Sequence, residues 1–392
     1  MTPRPIGPCP KERNPSPMDI RVSRPERRHT RVELFVPGEP EPASWLTIID
    51  YAMRLGIAHV RMGGIAGVGT APDHRMKGYS RACMDRAIEV MADDGYHCSM
   101  LFGIPGYYPK WGYATSIPLY RVLVNRQALR RGPEPYPLEA RPLEETDLPT
   151  VLRWNGRASA GRSGTLVRDA MGWTGFVHGS KWSSEPRCIA LTDPAAGDRM
   201  AAYFVVDDDE PAIVSEVGLA SSADARTMSA LSKALADQAT GSEAEEVTLL
   251  IPPDHPYAVH LRGVGASATI ECPFEAEIMM RISNLHPLMS ALEPELSRRC
   301  QEIGEQQAAL TFITDLGATT IDLRKGEAKT YAGESPCRIR LPQWALIQLL
   351  MGWRDLDDLL RSPEAQAEGS VPPTLRRLFP GGTPFIWQTD AF

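Results

Sequence analysis

The sequence has no Cys-x-x-Cys pair, no long apolar run and no excess of positive charge, and each absence removes a class of function. Its seven cysteines, Cys9, Cys83, Cys98, Cys188, Cys272, Cys300 and Cys337, are scattered and odd in number. They signal neither a disulfide framework nor a zinc site, and a reducing cytoplasm fits them. The longest apolar stretch, near Ala345 to Trp353, contains Gln348 and falls far below bilayer-spanning length. Residues 1–17 are rich in proline and arginine without the apolar segment of a signal peptide. They are expected to form a flexible extension, with Met18 an alternative start to Met1. A net charge of -7 argues against a general nucleic-acid binder and mildly favours cationic small-molecule acceptors. The histidines form no close pair, so no metal site is expected; His97 is read as a strand residue and His74 as part of a turn.

What is present is the composition of a soluble globular chain, 43% hydrophobic and 23% charged over 392 residues, long enough for two or three domains. Its most informative stretch is Gly67 to Ser80. Ile57 to Ile65 reads as a strand, and Arg81 to Met91 as a helix burying Cys83, Met84, Ala87, Ile88 and Met91 on one face. Between them, Arg75-x-x-Gly78-x-Ser80 offers backbone N–H groups at a helix N-terminus, with Arg75 and Lys77 adding charge and Gly78 permitting close approach. Such a turn suits a pyrophosphate, but neither a Walker loop nor the Gly-x-Gly-x-x-Gly dinucleotide turn is present here. A helix start that is merely basic is the competing reading.

In chain order, Arg31 to Val36, Ser44 to Leu55 and Ile57 to Ile65 are expected to form an antiparallel meander. Tyr96 to Phe102 is a further strand, followed by the aromatic loop Gly103 to Tyr113, and Leu119 to Asn125 is expected to close that sheet. A Pro-rich linker, Gly132 to Pro137, marks a boundary. Beyond it a strand and helix open at Leu138 to Leu148, and strands at Ala201 to Val206 and Ala212 to Val217, a helix at Ala223 to Gln238 and a strand at Glu246 to Pro252 repeat the first order. The turn Gly218 to Asp224 has no Arg-x-x-Gly. The acidic run Asp207 to Glu210 reads as a solvated hairpin tip. From Leu285 the pattern is helix, strands at Ala309 to Asp315, Thr319 to Leu323 and Cys337 to Leu341, then the apolar helix Gln343 to Trp353.

The Arg75-x-x-Gly78-x-Ser80 turn, with Val68-Gly69-Thr70 before it and Leu101 to Tyr113 after it, resembles motif A of the GNAT acyl-CoA N-acyltransferases, although Ser80 stands where that motif has Gly or Ala. Three segments, Pro72-x-His74-Arg75-x-x-Gly78, Tyr108-x-x-x-Gly112-Tyr113 and the Gln388-Thr389 tail ending in Phe392, extend the resemblance to the Eis family from about Met18 onward. It implies a mixed α/β (α+β) fold of two tandem GNAT-like domains followed by a sterol-carrier-protein-2-like domain. The corresponding segments are 18–134, catalytic and short of the usual first helices; 135–284, without the cofactor motif; and 285–392. It implies acetyl-CoA as acyl donor, a primary amine as acceptor and, by analogy, a homo-oligomer such as a hexamer.

The resemblance assigns cofactor contacts to Val68, Gly69, Thr70, Arg75, Met76, Lys77, Gly78, Tyr79 and Ser80, the main chain alone serving at Met76 and Tyr79. It makes Tyr108 the proton donor to the departing thiolate. A tyrosine titrating near 10 stays protonated until a thiolate forms; an aromatic packed in its loop is the alternative, and Tyr113 reads as core. It further implies that the α-carboxylate of Phe392 reaches the active site and helps deprotonate the amine. A non-catalytic acyl-CoA or apolar-ligand binding protein of the same architecture is the competing function.

Overall fold

The computed structural model describes residues 19–169, 173, 175–241, 244–304 and 307–392; the expected extension at 1–17 and both candidate starts lie outside them. The first elements are β1 (Asp19–Glu26), β2 (His29–Phe35), β3 (Ser44–Leu55), β4 (Ala58–Thr70), α1 (Tyr79–Asp93), β5 (Cys98–Gly103), β6 (Ala114–Thr115) and β7 (Leu119–Asn125). Then come β8 (Glu139–Pro142), α2 (Leu148–Ala158), β9 (Pro186–Asp193), β10 (Arg199–Asp207), β11 (Ile213–Leu219), α3 (Ala225–Gln238), β12 (Glu246–Leu249), α4 (Pro256–Arg262), β13 (Ser267–Glu271) and β14 (Glu277–Ile282). The last stretch holds α5 (Leu285–Ala291), α6 (Glu293–Ile303), β15 (Ala308–Thr314), β16 (Gly317–Arg324), β17 (Glu327–Tyr331), β18 (Arg338–Arg340), α7 (Gln343–Met351), α8 (Leu356–Arg361), β19 (Gln366–Glu368) and α9 (Pro373–Leu378).

The described residues form two compact units, 19–49 with Ile65–Val90 and Asp50–Gly64 with 91–392. In the first, β1 pairs antiparallel with β2 and β2 with the start of β3. Alternation along these strands buries Val32, Leu34, Leu46 and Ile48. Helix α1 turns Cys83, Met84 and Ala87 inward, and the Cys83 thiol lies beside Ser44 and the Leu34 backbone; burial, above all, pushes its pKa up. A strand, β1, stands before β2, and the described residues ahead of β3 hold no helix.

The second unit contains the ends of β3 and β4 that point away from the turn, with β5, β14 and β6 hydrogen-bonded in that order. A second sheet runs β13-β7-β12-β11-β10-β9-β8, and a third runs β17-β16-β15-β18-β19. The expectation that Leu119 to Asn125 closes the first sheet is corrected here. β7 pairs antiparallel with β12 and β13, because its inward residues Tyr120, Val122 and Val124 belong to the core built on Phe204, Val214, Leu231 and Leu249. The vacant edge of β5 is taken instead by β14, in register from Glu277 opposite Gly103 to Ile282 opposite Cys98. The fold is mixed α/β with three mixed sheets.

Two smaller expectations also change. Asp207 is fully buried, accepting hydrogen bonds from the Ser180 backbone N–H (2.6 Å) and the Ser180 hydroxyl; only Asp208, Asp209 and Glu210 are exposed. His97 stands just before β5, not in it, and its Nδ1 accepts from the Arg61 N–H at 3.0 Å. Tyr113, read as core, is buried with its hydroxyl 2.7 Å from Ser99 Oγ.

Candidate active site

In the first unit the end of β4 is tied down on one side. The Ser44 hydroxyl donates to Gly69 O at 2.8 Å, so its 3.0 Å contact with Thr70 Oγ1 uses the threonine proton. The Trp45 indole covers Gly69 so closely that a Cβ there would come within 2.6 Å of the ring. Ala71 N–H donates to Ala43 O at 3.0 Å. Val68, Gly69 and Thr70 are half-buried at this end.

A single 3-10 turn at Pro72–His74 follows, closed by Arg75 N–H on Pro72 O. The guanidinium is therefore what Arg75 has left to offer a ligand. His74 Nε2 lies 2.7 Å from Glu39 and its Nδ1 3.4 Å from Lys77 Nζ, an arrangement a ring protonated on Nε2 satisfies. The chain then enters the left-handed region at Met76 (φ 62) and Gly78 (φ 81). Gly78 O accepts the N–H of Ala82, so Gly78 caps α1, and having no side chain it brings no acceptor of its own. Arg75, Met76, Lys77 and Gly78 are exposed, Tyr79 and Ser80 half-buried, and the first turn of α1 carries no acidic residue. A 15-residue helix thus presents its positive end, with two basic side chains beside it, to the outside. These residues fit the pyrophosphate of an acyl-CoA: backbone donors and cations, with no carboxylate in the first turn of α1, although Asp73 lies in the turn before it.

In the second unit β5 brings Tyr108 and Phe392 to consecutive positions. The Phe392 ring meets Phe102 edge-on, with centroids 5.3 Å apart, and lies 5.0 Å from Tyr51 of β3. Gly64 of β4 makes room for it, since a Cβ there would come within 2.7 Å of the ring. Tyr108 packs at the next residue, Gly103, where an added Cβ would stand 3.0 Å from its ring. Side chains alternate along a strand, so the two rings pack against opposite faces of β5 at its last two residues, Phe102 and Gly103. Tyr108 is buried between Tyr107 (4.9 Å) and Tyr113 (6.3 Å). Burial, then Tyr107, raises its pKa above the ordinary tyrosine value, so it carries its proton at neutral pH. The loop behind it is capped by Gly112, whose carbonyl accepts from Gln343 Nε2 of α7 at 2.7 Å.

Sequence reasoning missed a buried cluster in the same unit. Arg168 donates to both oxygens of Glu216, at 2.8 and 2.6 Å, to Asp390 Oδ1 at 2.7 Å and to Thr389 Oγ1 at 2.9 Å. Tyr203 donates to Glu216 at 2.7 Å. One guanidinium here faces two carboxylates, and all three groups are buried. Burial works against the Arg168 charge, but Asp390 and Glu216 outweigh it and raise its pKa. Glu216, although burial opposes its charge, is held below the ordinary range by Arg168 and its other donors. Asp390 has the poorer share: its Oδ2 finds no partner, and burial pushes it up to about 6. No periodicity marks Arg168, and its partners lie 48 and 222 residues away. Among the described residues no group of side chains could hold a metal ion, and no helix is long and apolar enough to cross a membrane.

Residues 24–116 match the protein-family model described as acetyltransferase (GNAT) domain. This part of the chain thus matches a GNAT domain. It spans both the α1 start and the Tyr108 loop. Over more than nine-tenths of its length the chain has the fold of several solved structures. A GCN5-related N-acetyltransferase from Kribbella flavida is 21% identical, with a TM-score of 0.64 over 93% of this chain and 88% of that one. Another from Anabaena variabilis is 18% identical, with a TM-score of 0.68 over 92% and 89%. Eis1 from Mycobacterium abscessus is 15% identical, with a TM-score of 0.59 over 93% and 91%. At such identities the likeness is one of fold. No curated protein matches the sequence.

Proposed function

We propose that this chain is an acetyl-CoA-dependent N-acetyltransferase that acylates a primary amine on a small acceptor by direct attack on the thioester. The observation that carries the reading is the open, acid-free start of α1 inside the GNAT domain. Acetyl-CoA, when bound, supplies the activated acyl group and the thiolate leaving group. The main chain of Val68, Gly69 and Thr70 would pair with the pantetheine arm and polarise the thioester carbonyl. The guanidinium of Arg75, the ammonium of Lys77 and the backbone of Met76, Gly78, Tyr79 and Ser80 would hold the pyrophosphate.

The remaining chemistry is proton transfer. As the C–N bond forms and the C–S bond breaks, the amine must lose a proton and the thiolate must gain one. Tyr108, protonated at neutral pH, is the donor to sulfur. The α-carboxylate of Phe392 is the acceptor on the amine side; an ordinary terminal carboxylate is a weak base, so it acts through burial or a relay water and by stabilising the positive charge that develops on nitrogen as the C–N bond forms. The net charge of -7 favours cationic acceptors.

This assignment brings with it the Eis-like division into catalytic (18–134), cofactor-free (135–284) and sterol-carrier-like (285–392) segments, a homo-oligomer and a cytoplasmic setting. The test is turnover of acetyl-CoA against a panel of amines. Tyr108→Phe is expected to lower kcat roughly 100- to 10,000-fold with acetyl-CoA affinity unchanged; full turnover in that variant removes Tyr108 from the mechanism. Failure of acetyl-CoA to raise the wild-type Tm removes the cofactor assignment.

A further inference from the structure

Chain ends fray unless something ties them down, and the last residues here are tied at several points. Phe385 and Trp387 lie in the core of the second sheet. Phe385 N–H donates to Ser163 O at 2.9 Å, Arg162 Nη1 donates to the Thr383 hydroxyl at 3.0 Å, and Trp387 Nε1 donates to Ser159 Oγ at 3.1 Å. A turn at Gln388–Asp390 then delivers Thr389 and Asp390 to Arg168. A single residue, Ala391, lies between Asp390 and Phe392.

The segment holding Arg168 is itself pinned to β3. Gly164 N–H donates to Arg54 O, Arg54 N–H to Thr165 O and Val167 N–H to Ala52 O, at 2.8 to 2.9 Å. Arg54 Nη1 also donates to Leu166 O at 2.8 Å. Residues 164–167 therefore run alongside Ala52–Arg54, with a single β-bridge between Met53 and Leu166, directly beside Tyr51, whose ring touches Phe392. One end of this strap grips the tail at Thr383 and Phe385, the other at Thr389 and Asp390. Arg168 is the point where strap, tail and second sheet meet, because the same guanidinium also takes Glu216 of β11.

We propose that Arg168 is a positioning residue: by clamping Thr389 and Asp390 it fixes where the Phe392 carboxylate stands relative to β3 and β5. A cation with five donors in a fixed plane can hold Glu216, Asp390 and Thr389 at once, and a lysine cannot. Thr389 strengthens the clamp by donating its own proton to Glu216. The arrangement costs a buried carboxylate on Asp390 with one oxygen unpartnered, a burden that a tail needing only to be anchored by Phe385 and Trp387 would not carry. Displacement of a reacting group by about 1 Å is enough to cost roughly a hundredfold in rate.

The proposal rests on the terminal carboxylate having the role given above, and the experiment separates the two. Release of Phe392 by carboxypeptidase is measured together with kcat and KM for wild type, Arg168→Lys and Thr389→Val, the last removing hydrogen bonds to Arg168 and Glu216 without emptying a buried cation site. Faster release with kcat lowered roughly tenfold or more, at unchanged KM for acetyl-CoA, supports the clamp. Unchanged release and kcat in folded Thr389→Val and Arg168→Lys overturn it, as does faster release at unchanged kcat while trimmed wild type loses activity. If trimmed wild type keeps its full rate, the carboxylate has no catalytic role and the positioning role of Arg168 falls with it. Should Arg168→Lys not fold, Thr389→Val decides the matter alone.

Discussion

Two helices in this molecule start just after a central strand, and their first residues differ in one respect that decides what each can bind. α3 is capped by Asp224, whose Oδ1 accepts from the Thr227 N–H at 2.9 Å and the Thr227 hydroxyl at 3.0 Å, and whose Oδ2 accepts from Tyr136 at 3.1 Å. The helix has brought its own anion. α1 is capped by Gly78 in a left-handed conformation, with cations beside it and no acid in its first turn. It has left the place of the anion open. The same macrodipole is neutralised internally in one case and offered outward in the other, so two units with the same order of strand, turn and helix differ in whether an outside anion has a place to sit.

Giving α1 an anion of its own should be the most damaging change. Gly78→Asp is expected to weaken acetyl-CoA binding roughly a hundredfold or more, read by calorimetry, because a carboxylate would take the N–H groups and repel the pyrophosphate. Retained affinity would sink the comparison. Arg75→Ala removes one charge-assisted contact while leaving the helix start open, and affinity should fall roughly tenfold. Asp224→Ala should leave acetyl-CoA affinity untouched and lower Tm by a few degrees through the lost cap. The smallest effect is on pH. The Thr227 N–H above all holds the Asp224 pKa below its ordinary value, so the charged cap adds stability above the unfolded-state pKa and loses it as pH falls through the folded-state value. The Tm gap between wild type and Asp224→Asn should accordingly shrink in acid.

The sequence made the local elements legible because their signals are local. The α1 face of Cys83, Met84 and Ala87, the turn around Gly78, the β10–β11 pair and the buried helix at Gln343 all follow from periodicity or turn chemistry within a short window. What was not legible was pairing at long range. Nothing in Leu119 to Asn125 says that its partners are β12 and β13 and not β5, since an alternating strand fits either sheet. Arg168 lay in a stretch without pattern, and only folding brings it to carboxylates on β11 and at the chain end. Asp207 looked like the rest of an exposed acidic run because its partner, Ser180, sits 27 residues earlier in a loop. For the candidate site, local turn chemistry marked the helix start and family resemblance pointed to Tyr108; the tail's means of attachment carried no local signal.

The exchange of β7 and β14 carries a consequence for biogenesis. As the chain leaves the ribosome, β5 emerges long before the residues that cover it, since Gly103 must wait for Glu277. Throughout that interval a strand bearing buried Cys98, Met100 and Leu101 has an open edge, the kind of template on which nascent chains pair wrongly with one another. Expressing the residues upstream of the Pro-rich linker alone should therefore leave that edge of β5 open and produce aggregating material.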